Sequence, residues 1–294
     1  MKKLLLTGAS GFLGRYILRH VQGDWNICGL YHSRFPEYPG GFHQVDLTHK
    51  NAVEAIFRAI RPDIVIHTAA LSKAALCEQN PAFSRQINVE VPRRFARCCA
   101  ETNTPLIFTS TDLVFDGKNP PYRENDPPNP LSQYGLQKAE AEQVIMNEYS
   151  HATICRMPLM YGNAPYTNNF FLDWMHCLKN GILLKAFTDE YRTPVHAVDA
   201  VRGLFLLLEK EKTGIWHLGG KASISRYNFA MQMVEVFGFA QANVQPLTQA
   251  ELNLNAPRPA DVSMDSSRAF ELGYAPDLPA EVFGKMTIRD VKKM

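Results

Sequence analysis

Apolar residues follow two alternating patterns along this 294-residue chain. Short, nearly unbroken apolar runs at Lys3 to Thr7, Asn26 to Tyr31, Asp63 to His67, Pro105 to Phe108 and Ala152 to Arg156 suit strands covered on both faces. Between them, apolar positions return every three or four residues, the period of an amphipathic helix. Such stretches end near Val21 and run from Thr48 to Ile60, Pro81 to Thr102 and Ser132 to Tyr149. Val45-Asp46-Leu47 reads as a further strand end, with Thr48 capping the helix after it. Pro92 should kink or split the long helix, because it lacks an amide proton and crowds the preceding turn. Strands alternating with helices at this pitch predict an α/β chain built on a doubly wound parallel sheet.

Beyond Met157 the alternation fails. A polar loop is expected at Asn163 to Asn169, a helix at Phe170 to Lys179, a late strand at Thr213 to Leu218 and a helix at Ser225 to Phe237. From Pro246 to Met294 prolines break the chain into short elements. The predicted organisation is a main domain over 1–157 to which 195–220 returns, and a smaller interleaved lobe formed by 158–194 and 221–294. No repeat or low-complexity tract is visible.

The charge balance narrows the function. Lys and Arg number 31 against 29 Asp and Glu, a net charge of +2, so a nucleic-acid partner is not implied. The Arg93, Arg94 and Arg97 cluster reads as a solvated helix face. Met1 to Leu6 mimics the start of a signal peptide, but the apolar run stops at Thr7-Gly8 with no cleavage site after it. No apolar run approaches the ~20 residues of a membrane helix, and a soluble, cytoplasmic protein is expected. The six cysteines form no Cys-x-x-Cys pair, and the nine histidines show no ligand spacing, so reduced thiols and no metal are expected.

Candidate chemistry lies at the turns. After the first strand, Gly8-Ala9-Ser10-Gly11-Phe12-Leu13-Gly14 has the glycines a dinucleotide pyrophosphate needs: for the turn, for close backbone approach and for helix packing. Gly8, Ser10, Gly11, Phe12, Leu13 and Gly14 are therefore candidate cofactor contacts, although the spacing is Gly-x-x-Gly-x-x-Gly. The second strand ends in Tyr31-His32-Ser33-Arg34 with no acid for a ribose hydroxyl. Ser33 and Arg34 suit a 2′-phosphate, which favours NADP over NAD. Asp46 and Leu47 stand where an adenine could be met, and Ala69, Ala70 and Leu71 are small or apolar enough for a cofactor to lie across the sheet edge. Finally, Thr109-Ser110-Thr111-Asp112 precedes Tyr134 and Lys138, which share a helix face four residues apart. A lysine charge there would favour the phenolate, drawing the tyrosine down toward working pH.

The order of these motifs resembles the extended short-chain dehydrogenase/reductase superfamily, and within it the dTDP-4-dehydrorhamnose reductases. Ser110 to Gly117, Asn169-Phe170, Asp189 to Pro194 and Arg258-Pro259 carry the likeness along most of the chain. The resemblance implies a Rossmann-type sheet, a nucleotide-sugar substrate and reduction of a keto group by NADPH. It implies that Tyr134 is the general acid, that Lys138 lowers its pKa and holds the nicotinamide ribose, and that Thr111 bonds the substrate oxygen. Asn88 would support the lysine, or make only a local bond. Asn169, Arg192 and Arg258 become candidate substrate contacts, the two arginines at a diphosphate. A homodimer is compatible with the family.

Two departures bear on substrate. Leu113 stands where the reductases carry tyrosine and related dehydratases carry glutamate; leucine transfers no proton, which disfavours dehydration. Leu71 to Glu78 also differs, so Lys73 and Cys77 could face another ligand. Cys77 as a nucleophile lacks a paired histidine and reads better as a buried thiol. The alternatives are an epimerase retaining NAD and a non-catalytic regulatory subunit like that of methionine adenosyltransferase.

Overall fold

The computed structural model describes residues 1–21, 25–35, 38, 40–164, 167, 169–252 and 256–286. Parts of the expected 163–169 loop and of the proline-broken terminal segment lie outside the described residues. In chain order the first half contains β1 (Lys2–Thr7), α1 (Phe12–His20), β2 (Trp25–Tyr31), β3 (Gly41–Gln44), α2 (Ala52–Ile60), β4 (Ile64–His67), α3 (Ala74–Gln79), α4 (Pro81–Arg85), α5 (Val91–Thr102), β5 (Leu106–Thr111) and α6 (Gln133–Glu148). There follow β6 (Thr153–Met157), β7 (Met160–Tyr161), α7 (Phe170–Lys179), β8 (Leu184–Phe187), β9 (Tyr191–Arg192), β10 (Val195–His196), α8 (Ala197–Glu209), β11 (Gly214–His217), β12 (Ile224–Ser225), α9 (Arg226–Phe237), β13 (Val244–Leu247), α10 (Ser267–Glu271) and α11 (Pro279–Lys285).

Seven strands form one sheet in the order β11-β6-β5-β4-β1-β2-β3, and every pairing is parallel. Successive residues of these strands alternate between two cores, as the pleat requires. Leu4, Leu6, Ile64, Ile66 and Ile107 pack with α1 and α8 on one face. Leu5, Val65, Leu106 and Phe108 pack with α2, α5 and α6 on the other. Burying each such aliphatic side chain stabilises the fold by roughly 1.5–3 kcal/mol, so an unbroken apolar run is stable only between two helical layers. Strand order reverses between β1 and β4, which opens a crevice at their carboxyl ends.

A third, largely aromatic core forms where Tyr161, Phe171, Phe229 and Phe283 meet beside the short pair β8–β13. The 195–220 segment supplies α8 and edge strand β11. Ala269 and Tyr274 also return to the core of the main sheet, although the sequence reading assigned them to the smaller lobe.

The stretch Pro81 to Thr102 is split, as Pro92 predicts: a π-helical turn at Gln86–Glu90 separates α4 from α5 just before that proline. Two other local expectations need correction. Thr48 does not cap α2, whose N-cap is Asn51; its hydroxyl donates to Asp46 Oδ1 at 2.6 Å instead. Arg93 and Arg97 are not merely solvated, since both donate to Glu148 and strap α5 to α6.

Candidate active site

The glycine turn forms the floor of the crevice. Gly8 has φ +67°, and a Cβ there would lie 2.8 Å from Ala69 N, so only glycine lets β1 turn against the end of β4. A Cβ on Gly14 would sit 2.2 Å from Gly8 O, which explains the third glycine as a helix-packing position. Gly11 is the N-cap of α1, where no side chain caps the helix and the first turn carries no acid. Those amides are therefore available to an anion. The cleft above them, about 420 Å³, is lined by Gly8, Ser10, Gly11, Asp46, Leu47, Ala69, Ala70 and Leu71. Phe12 and Leu13 do not line it; Leu13 is buried in the core under the sheet.

Ser33 and Arg34 lie on the exposed bend after β2, next to the cleft-lining Tyr31 and His32. Asp46 is held by Thr48, whose amide and hydroxyl both donate to it, and this keeps its carboxyl below the usual range. The crevice wall is tied by Thr7, whose Oγ1 accepts from the amides of Thr68 and Ala69, both at 3.1 Å. Its one proton is then left for His67 Nδ1 at 3.0 Å, which makes His67 the Nε2–H tautomer. Burial, with Lys138 adding to it, holds His67 down to about 3 and thus neutral.

Asn88 does not make a local helix bond. Lodged in the π turn, it accepts from Leu71 N at 2.9 Å and donates to Gln137 Oε1 at 2.9 Å, joining the crevice wall to α6. This is a recurrent use of π turns at functional sites. Cys77 is fully buried, its thiol donating to Leu71 O at 3.2 Å and pushed up by burial, as a structural cysteine is.

α6 begins at Ser132, whose Oγ accepts from Gly135 N, while Glu78 accepts from Gln133 N at 2.8 Å. Gly135 is the position that sequence spacing missed. A Cβ there would lie 2.2 Å from Leu113 O, so its absence lets α6 press onto the turn after Thr111. A glycine inside a helix costs about 1 kcal/mol relative to alanine, and that cost was the available signal. Tyr134, Lys138 and Glu142 line one buried face of α6. Tyr134 is pushed above its ordinary value by burial, with Asp112 and Cys77 adding to it. The expected lowering by Lys138 is not what the geometry delivers. Its Nζ donates to Thr109 O at 2.6 Å and lies 3.9 Å over the Phe108 ring, and burial draws it down to about 7 against the pull of Glu142.

Thr111 ends β5, donating to Asp112 Oδ1 at 3.1 Å and accepting from Leu113 N. Asp112 is buried with Oδ2 2.7 Å from Arg192 Nη1, a close ion pair lacking hydrogen-bond alignment. Burial raises its carboxyl and Arg192 opposes this. Glu190 accepts from Arg258 Nη1 at 2.9 Å and stands 3.9 Å from Arg192. Burial would raise Glu190, but Arg192, Arg226 and Arg258 outweigh it and hold it low. Arg226 packs over Phe170 and Trp174, and burial draws it down to about 9. Glu190 lies within the Asp189 to Pro194 motif but was not singled out, and Arg226 carried no sequence signal, because it reaches the cluster from a distant segment.

Leu113, Arg192 and Arg258 line a second pocket of about 550 Å³ together with Lys73 and Ser132. Asn169 does not line it. Its carbonyl caps α7 by accepting from Phe171 N, and its amide donates to Gly162 O at 2.6 Å. Among the described residues no helix is long and apolar enough to cross a membrane, and no cluster of three His, Cys, Asp or Glu is arranged for a metal.

The sequence pattern of the RmlD substrate binding domain matches residues 1–278. Methionine adenosyltransferase 2 subunit beta of Bos taurus is 31% identical over 291 residues, covering 96% of this chain and 85% of that protein. A dTDP-4-dehydrorhamnose reductase from Clostridium acetobutylicum superposes with a TM-score of 0.85 at 28% identity, over 99% of this chain and 100% of the other. A dTDP-4-dehydrorhamnose reductase from Bacillus anthracis, solved in complex with NADP, has a TM-score of 0.86 at 24% identity over 98% and 99%, a likeness of fold.

Proposed function

The chain belongs to the RmlD substrate binding domain family, and from that premise we propose that it is an NADP-dependent oxidoreductase reducing a keto group on a nucleotide-activated sugar. One observation carries the reading. Gly135 brings the helix bearing Tyr134 and Lys138 against Leu113 in the turn after Thr111, and Leu113 and the helix cap Ser132 line the Arg192–Arg258 pocket. The C. acetobutylicum likeness supports reductase chemistry, and the B. anthracis complex supports NADP.

The cleft suits a dinucleotide, because Gly8 and Gly11 line its floor without side chains and no side chain caps the α1 amides. Gly8, Ser10 and Gly11 would hold the pyrophosphate, and Ser33 with Arg34 the 2′-phosphate. The absence of an acid in Tyr31 to Arg34 favours NADP over NAD and counts against an epimerase that retains NAD. When bound, the nicotinamide supplies hydride. Tyr134, buried and protonated, gives its proton to the substrate carbonyl oxygen, and the Thr111 hydroxyl turns its one proton from Asp112 Oδ1 to that same oxygen. Lys138, drawn down to about 7 by burial and held at Thr109 O, would hold the nicotinamide ribose. On this reading 1–157 with 195–220 binds the cofactor, while 158–194 with 221–294 covers the sugar nucleotide.

A second reading is a cofactor-binding regulatory subunit, supported by the 31% identity to the methionine adenosyltransferase subunit. A thermal-shift screen with NADP, NAD and dTDP-, UDP- and GDP-sugars separates the two. Joint stabilisation by NADP and one nucleotide class is expected. Stabilisation by NADP alone, with co-purification of a partner enzyme, would favour the regulatory reading, and no response to either dinucleotide would sink both.

A further inference from the structure

The second pocket carries more positive charge than its own acids neutralise. Arg192 and Arg258 line it, Arg226 lies behind them, and these three share two carboxylates, Asp112 and Glu190. Lys73, from the start of the short segment before α3, also lines the pocket and makes no ion pair among the described residues. Apart from Glu190, Ser72 and Ser132, the rest of the wall is apolar, including Leu113, Ala74 and Pro257, a surface against which a charge is poorly screened. An uncharged sugar would leave this imbalance standing, whereas a group bearing about two negative charges would cancel it.

We infer that Lys73 is a specificity-determining residue that receives, with Arg258, the phosphoryl oxygens of the ligand's diphosphate. That this diphosphate belongs to a nucleotide-activated sugar rests on the function proposed above; that the pocket takes a doubly charged phosphoryl group does not. Arg258 is already engaged by Glu190, so it offers its remaining guanidinium donors. Lys73 is uncommitted and can turn its ammonium wholly to the ligand. Leu113 then faces the sugar as an apolar contact.

The test is calorimetric titration of the full chain, saturated with NADPH, with inorganic pyrophosphate, orthophosphate and glucuronate. Pyrophosphate should bind more tightly than orthophosphate. Lys73→Ala should weaken pyrophosphate binding about tenfold, the scale of one charge-assisted contact, while Lys73→Arg keeps most of it and Lys73→Glu weakens it further. Lys73 is exposed, so unchanged melting temperatures should certify that the variants fold. Pyrophosphate affinity of Lys73→Ala equal to wild type overturns the inference, as does glucuronate binding more tightly than pyrophosphate, which would assign the excess charge to a carboxylate. The NADPH titration reads the oxidoreductase proposal separately. Lys73-dependent pyrophosphate binding without NADPH binding would retain this site and discard that proposal.

Discussion

Tyr134 keeps its proton because it is buried beside the Asp112 carboxyl, and a protonated phenol is what a carbonyl oxygen gaining hydride needs. Lys138 carries the opposite perturbation. Its ammonium is penalised by burial, fully below about pH 7, and the penalty fades as pH rises toward the unfolded value near ~10.4. Between folded and unfolded states the unfolded chain then binds more protons, so stability should rise with pH from about 7 to about 8.5, by up to roughly 1.4 kcal/mol per pH unit. Above that, unfolded cysteines begin to titrate and oppose it. Urea unfolding across this window should show the rise in wild type and a flat profile in Lys138→Met. An unchanged slope in the variant would mean that the lysine is not desolvated as described. The Tyr134–Lys138 pair was legible from its spacing, but its electrostatics were not, because the Thr109 carbonyl that draws the ammonium away comes from another strand.

At the level of elements, the glycines carry the argument. Gly135→Ala would drive a methyl group into Leu113 O and should cost ~1–3 kcal/mol while displacing the Tyr134 helix from the Thr111 turn. Chemical denaturation and turnover should fall together; full stability and activity would show that α6 does not depend on that contact. Gly14→Val should impair both packing of α1 and cofactor affinity, since its Cβ would meet Gly8 O. Long elements were readable because their apolar period matched their burial. α3 was not, because six residues without a side-chain cap give too little pattern. Thr48 looked like a cap and instead serves Asp46, a competition between side chain and helix amides that one dimension does not resolve. Asn169, resembling a substrate contact, is consumed by capping α7.

Across the whole molecule, His67 and His217 are both buried and held to about 3, by burial first and then by Lys138 and Arg156 respectively. Both are neutral in the fold and protonate when the chain unfolds near their ordinary ~6.5, so their contribution is present above that pH and is lost on acidification. With His196, which burial holds down to about 4, adding a third proton, stability should fall between about pH 6 and 4.5 with a slope of up to roughly 4.1 kcal/mol per unit. His217→Phe should remove about a third of that slope, as urea melts at stepped pH would reveal. The seven-strand sheet was foreseeable from buried runs, and Arg192 and Arg258 from the family resemblance, whereas Arg226 was not, since only tertiary contacts bring it to Glu190. The central claim, that this fold places a tyrosine proton donor beside a bound dinucleotide, is tested most directly by nicotinamide absorbance during incubation with 4-keto dTDP-, UDP- and GDP-sugars. Wild type should consume NADPH with at least one class, and Tyr134→Phe should bind NADPH equally well yet turn over at least about a hundredfold more slowly. NADPH consumption by Tyr134→Phe at the wild-type rate would contradict the account.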